Sequence, residues 1–81
     1  MEKVVEEIIN NWDPIELFPY SPKDEYKNEI ALIIAALKET KDISEVALKI
    51  QKIFIKSFGN DVFKRDTNEC VSIAESIVKN I

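Results

Sequence analysis

Apolar side chains return along this chain every three or four residues in four separate stretches. That spacing puts them on one side of an α-helix. In the first stretch Val4, Val5, Ile8, Ile9 and Trp12 share one side, with Glu2, Lys3, Glu6, Glu7 and Asn10 on the other. Acids in its first turn suit the positive end of the helix dipole. The second runs from about Glu25 to Glu39 with a stripe of Tyr26, Ile30, Ile33, Ile34 and Leu37. Ala31, Ala35 and Ala36 widen that stripe, which predicts the most enclosed of the helices, while Leu32 falls outside it and is either exposed or covered by another element. The third starts at Asp42, an N-cap with Glu45 three residues on. Its core face is Ile43, Val46, Ala47, Ile50, Phe54 and Phe58, with Lys49, Lys52 and Lys56 nearly opposite. Gly59 follows, where a left-handed C-terminal cap favours the residue without a Cβ. The fourth repeats the starting device with Asp66 and Glu69, then shows Val71, Ala74, Ile77, Val78 and Ile81, joined by Cys70 and Ile73.

Helices are therefore expected near 2–12, 25–39, 43–58 and 67–80, within a single domain spanning 1–81. Short links at about 40–42 and 60–66 favour antiparallel neighbours, so the fold class is all-α, a compact antiparallel four-helix bundle. The connection between helices one and two differs, because it holds all three prolines together with Trp12, Ile15, Leu17, Phe18 and Tyr20. Asp13-Pro14 reads as N-cap and first helical residue, predicting a single turn from Pro14 to Phe18 that ends before Pro19. Ser21-Pro22-Lys23-Asp24 is a second start signal. This Pro- and aromatic-rich connection is expected to be structured and to close one end of the bundle, with Trp12 buried against the second or fourth helix.

Composition narrows the chemistry. The 81 residues contain no His, one Cys and one Gly. Ser-His-Asp and Cys-His catalysis, imidazole-based metal sites, internal disulfides and Gly-rich phosphate loops are thereby excluded. Cys70 lies on the apolar stripe of its helix and reads as a buried structural thiol. Asp13, Asp24 and Glu25 lack the spacing of a calcium loop, so neither a metal nor a cofactor is expected. The net charge is −4, with −5 in residues 1–25 and +2 in residues 40–59. An acidic chain of this kind is a poor nucleic-acid ligand and a better match to a basic protein. The longest apolar run, Ile30 to Leu37, is far short of the ~20 residues that cross a bilayer. Acids also stand where a secretory signal has a basic start, so a soluble, cytoplasmic protein is expected.

Trp12-Asp13-Pro14-Ile15-x-Leu17, followed by Pro22 and Asp24-Glu25-Tyr26, resembles the signature of an uncharacterised family of short bacterial all-helical proteins. That family is a domain of unknown function described mainly from bacilli, and Ile53-Phe54-Ile55-Lys56-Ser57-Phe58-Gly59 resembles its downstream segment. The resemblance implies a helical fold and supplies no activity. Similar signatures also occur in small bacterial proteins suspected of being toxin-immunity partners. Two residues depart from the pattern. Glu16 stands where the family has Gly, which leads us to expect an ordinary helical φ there, and Lys27 stands where it often has Asp.

These features point to a non-catalytic protein-interaction module whose partner is a protein, basic in charge, or a second copy of the chain. Candidate partner-binding residues are Asp13, Glu16, Asp24, Glu25 and Tyr26, with Leu32, Leu48 and Ile55 as exposed apolar candidates. An immunity protein that neutralises a basic toxin is the alternative. A distant third is an enzyme working through the carboxylates of Asp24 and Glu25 and the Tyr26 hydroxyl.

Overall fold

Each periodic stretch can bury one side and hydrate the other, and each forms a helix on that account. A computed structural model describes residues 1–17 and 25–81. Among the described residues the chain forms α1 (Glu2–Trp12), α2 (Lys27–Glu39), α3 (Ile43–Phe58) and α4 (Thr67–Asn80), and no strand. Helix α1 packs on α2 and α4, and α3 packs on the same two, so the four antiparallel helices close a ring in which α1 and α3 lie diagonally. The core takes Val5 and Ile9 from α1, Ile30, Ile33 and Leu37 from α2, Val46, Ile50 and Phe54 from α3, and Cys70, Ala74 and Ile77 from α4. Burying each large member contributes about 1.5–3 kcal/mol.

Local chemistry sets where the helices start and stop. Asp42 is extended ahead of α3, and its Oδ1 accepts the Glu45 N–H at 3.1 Å. Asp66 does the same for α4, accepting the Glu69 N–H at 2.8 Å. Both caps satisfy an N–H that has no partner inside its helix. Helix α3 ends at Gly59, whose φ of 87° is in the range that side chains avoid and whose N–H donates to the Ile55 carbonyl at 2.7 Å. At the end of α2 the Lys41 Nζ donates to the Leu37 carbonyl at 2.7 Å, placing a cation at the negative end of that helix.

The stripes are narrower than periodicity alone predicts. Ala31 and Ala35 are exposed because α2 is covered only by α1 and α3, leaving its outer flank open. Helix α4 faces inward through Cys70, Ala74 and Ile77, so Val71 turns outward and Ile81 lies past the helix end; both are exposed. Leu32 and Leu48 are about half exposed (52% and 50%), as their positions off the stripes imply. Ile55 is instead partly buried and packs against the core, contrary to its expected exposure. Helix α2 starts at Lys27, two residues later than expected, because Tyr26 occupies the N-cap position with its side chain fully buried.

Asp42→Ala and Asp66→Ala should each lower stability by about 1 kcal/mol, within the 0.5–2 kcal/mol typical of a lost cap. Urea titrations should show lower midpoints with unchanged slopes, because a cap changes stability and not the surface exposed on unfolding.

Candidate functional site

The stretch that resembles a family signature begins where α1 stops. Asp13 is left-handed (φ 45°, ψ 62°) and its N–H closes the helix on the Ile9 carbonyl at 2.9 Å. Asp is among the few residues that visit this region routinely. Its backbone carbonyl then accepts the Glu16 N–H at 3.0 Å, and its Oδ1 accepts the Leu17 N–H at 2.8 Å. The same Oδ1 accepts the Tyr26 hydroxyl at 2.6 Å, and the Ile15 N–H donates to that hydroxyl at 3.3 Å. Asp13 thus ends α1 through its backbone, and its carboxylate closes the turn after it and holds the residue that starts α2.

Two expectations are corrected here. Asp13-Pro14 does not act as N-cap and first helical residue, since an N-cap is extended and Asp13 is the left-handed C-terminal cap of α1, with Pro14 and Ile15 in a turn. Glu16 does not take a helical φ: it sits at +55°. The demand for a left-handed residue belongs to the turn that Asp13 closes, so Glu16 carries strain there that a Gly would not. The expected turn end at Phe18 and Pro19, the side chain of Tyr20, the start signal Ser21-Pro22-Lys23-Asp24, and Asp24 as a candidate site residue lie outside the described residues.

Around this turn the aromatic rings pack on Phe54. Trp12 and Tyr26 meet it edge-on at centroid distances of 5.7 and 5.8 Å, and Phe58 and Phe63 stack on it at 6.0 and 5.4 Å. Such pairs add about 0.5–1.5 kcal/mol each beyond the area they bury. The Trp12 Nε1–H donates to Glu69 Oε2 of α4 at 2.5 Å. The Arg65 Nε–H donates to the Pro14 carbonyl at 2.9 Å and lies 3.5 Å from the same Glu69 oxygen. Trp12 is therefore partly buried, less than expected of it, and is held to α3 by ring packing and to α4 by the Glu69 bond. Arg65 and Glu69 escaped sequence reasoning because they lie 51 and 57 residues from their partners, and Glu69 read only as a capping residue.

The titratable groups here are occupied. Burial raises the Tyr26 hydroxyl well above the ordinary tyrosine value, and its bond to the Asp13 carboxylate adds to the effect. Burial, with the charges of Glu69 and Asp66 beside it, pushes the Cys70 thiol up to about 11, so it stays protonated at neutral pH and is a poor nucleophile. Of the candidate partner-binding residues, Asp13 and Tyr26 come together inside the fold, Tyr26 with no exposed surface, while Glu16 and Glu25 are exposed. Among the described residues no group of three or more Cys, Asp or Glu could hold a metal ion, and no helix is long and apolar enough to cross a membrane.

A second surface lies between α2 and α3. Leu32, Ala35, Ala36 and Glu39 form one wall of an open groove of ≈ 330 Å³, and Lys49, Lys52 and Ile53 form the other. Lys49 Nζ spans the groove to Glu39 Oε2 at 3.9 Å, a solvated ion pair worth little to stability.

Residues 4–80 match the family model described as a domain of unknown function, DUF1871. No curated protein and no solved structure matches the chain.

Two substitutions in the turn should move stability in opposite directions. Trp12→Ala removes a ring held by Phe54, Phe63 and Glu69, and should cost about 3 kcal/mol, the lower end of the range for a core Trp because the ring is only partly buried. Glu16→Gly relieves a left-handed residue costing about 1–2 kcal/mol and restores about 0.5–1 kcal/mol of chain entropy to the unfolded state, for a net gain of roughly 0.5–1 kcal/mol. Urea unfolding of both variants beside the wild type reads the two signs.

Alkali should loosen the fold. Tyr26 and Cys70 both hold their protons more tightly folded than unfolded. Their contribution is complete at neutral pH and is lost as pH rises past about 9, the ordinary thiol value, and on through the folded value of about 11. Urea midpoints should fall between pH 8 and pH 10.5, and fall less steeply in Cys70→Ala.

Proposed function

We propose that this chain, which belongs to the family of the domain of unknown function DUF1871, is a non-catalytic protein-interaction module. The observation that carries this reading is the open groove between α2 and α3, where Leu32 keeps about half of its surface (52%) exposed beside Ala35 and Ile53. An apolar floor with a charged rim is the usual anatomy of a contact patch. The chemistry of the aromatic end supports it too: Asp13, Tyr26, Trp12, Glu69 and Arg65 bond to one another or to backbone.

A second reading places a basic protein on the acidic side of the molecule. Glu2, Glu6 and Glu7 of α1, with Glu16 and Glu25 after it, are all exposed. Such a surface speeds encounter with a positively charged partner, as an immunity protein facing a basic toxin requires.

Affinity capture from the native cytosol with the intact chain separates the two. Leu32→Asp alters the groove, Glu6→Lys with Glu7→Lys alters the acidic side, and neither touches the core, so both variants should melt within a few degrees of the wild type. A protein retained by the wild type should be lost with Leu32→Asp and kept with the α1 variant. The reverse pattern favours the basic partner. A wild-type bait that retains no protein above the level of an unrelated helical control removes both readings.

A further inference from the structure

We propose that the α2–α3 groove seats an amphipathic helix with an acidic flank, supplied by a protein partner; this deepens the interaction reading above and rests on it. The floor decides that the occupant is in part apolar. Leu32 and Ile53 offer branched side chains, and between them Ala35 and Ala36 bring the floor close to the backbone of α2. Leu32 to Glu39 spans about 10 Å along α2, or two helical turns. A volume of ≈ 330 Å³ is at the small end for a binding cleft and admits a few side chains, which is what one helix offers at i, i+3 or i+4, and i+7. Both walls are helices whose backbone groups are already bonded internally, so there is no sheet edge on which an extended peptide could be built. A helix brings its own backbone bonds satisfied and needs only the side-chain contacts.

Charge decides the flank. Lys49 and Lys52 line the α3 wall, and Lys56 continues the same exposed stripe one turn on. Residues 40–59 carry +2 on a chain whose net charge is −4, while α1 carries Glu2, Glu6 and Glu7 against Lys3. Because α1 and α3 lie diagonally in the ring, the acidic and basic sides face apart. An acidic helix is drawn to α3 and repelled by α1, so the field orients it before contact. Glu39 is the one acid lining the groove, and Lys49 already faces it, leaving Lys52 to meet a carboxylate from the partner. The same groove suits nucleic acid poorly. Its floor is apolar, and two lysines beside one glutamate neutralise few phosphates.

The test uses the intact chain and a synthetic helical peptide of about 18 residues, long enough to hold its structure. Leucines stand on one face of the peptide and glutamates on both flanks. A second peptide has lysines in place of the glutamates, and vesicles of phosphatidylserine and phosphatidylcholine form a third arm. Amide shift mapping should confine the response to the acidic peptide to residues 32–39 and 49–53. Lys49→Glu combined with Lys52→Glu should weaken binding about tenfold or more, as should Leu32→Asp, and added salt should weaken the wild type toward the charge variant. Equal or tighter binding of the lysine peptide overturns the proposal, as do shifts centred on α1. Vesicle binding through Lys49, Lys52 and Leu32 without peptide binding assigns the groove to a lipid surface instead. Self-association abolished by Leu32→Asp assigns it to a second copy. A captured native partner that depends on the acidic side of α1 and ignores the groove variants leaves the interaction module standing and removes this occupant alone.

Discussion

The fold depends on one carboxylate. Asp13 Oδ1 accepts both the Leu17 N–H and the Tyr26 hydroxyl, while the Asp13 backbone closes α1 and begins the turn that follows. Hydrogen bonds to a charged acceptor are worth roughly 1.5–3 kcal/mol each, more than neutral ones. Here they are spent on geometry: they fix how far the end of α1 stands from the start of α2, and so where the Trp12 and Tyr26 rings meet Phe54.

The rest of the aromatic end follows from it. Once the turn is set, Pro14 presents its carbonyl to Arg65, and the Trp12 indole N–H points at Glu69. These contacts tie the first link of the chain to the last helix, across more than fifty residues, and bridge elements that helical packing alone leaves loosely related. The strained φ of Glu16 is tolerated because several bonds around it determine the turn together. Trp12, Asp13, Pro14 and Tyr26 thus each have an architectural role. Among the described residues, Trp12, Asp13 and Tyr26, conspicuous in the sequence, hold the end of α1 and the start of α2 in place.

The candidate site was only partly legible. Asp13 and Tyr26 stood out by type and spacing, and they do come together, but inside the fold, with Tyr26 fully buried. Glu16 and Glu25 are exposed and do not line the α2–α3 groove. Leu32 was visible as an apolar residue off its stripe. Nothing local joined it to Ile53, Lys49 and Lys52, because a groove between two helices is a property of their packing and carries no signal within either one.

The chain's pattern alone determined the four helices, the starts of α3 and α4 and the end of α3. Periodicity of three and four residues specifies which side of each helix is buried, and Asp42, Asp66 and Gly59 act on N–H groups or φ values within a few residues of themselves. The buried character of Cys70 was local in the same sense, since its neighbours on the stripe were local. Tertiary structure decided whatever depended on neighbours distant in sequence. It made Asp13 a C-terminal cap instead of an N-cap, put Glu16 in the left-handed region, drew Ile55 into the core and left Ala31, Ala35 and Val71 outside it. The physical reason is common to all of these. A helix carries its own hydrogen bonds and its own period, so a short window of sequence suffices to specify it, whereas a turn and the width of a buried face are chosen by the partner that packs against them.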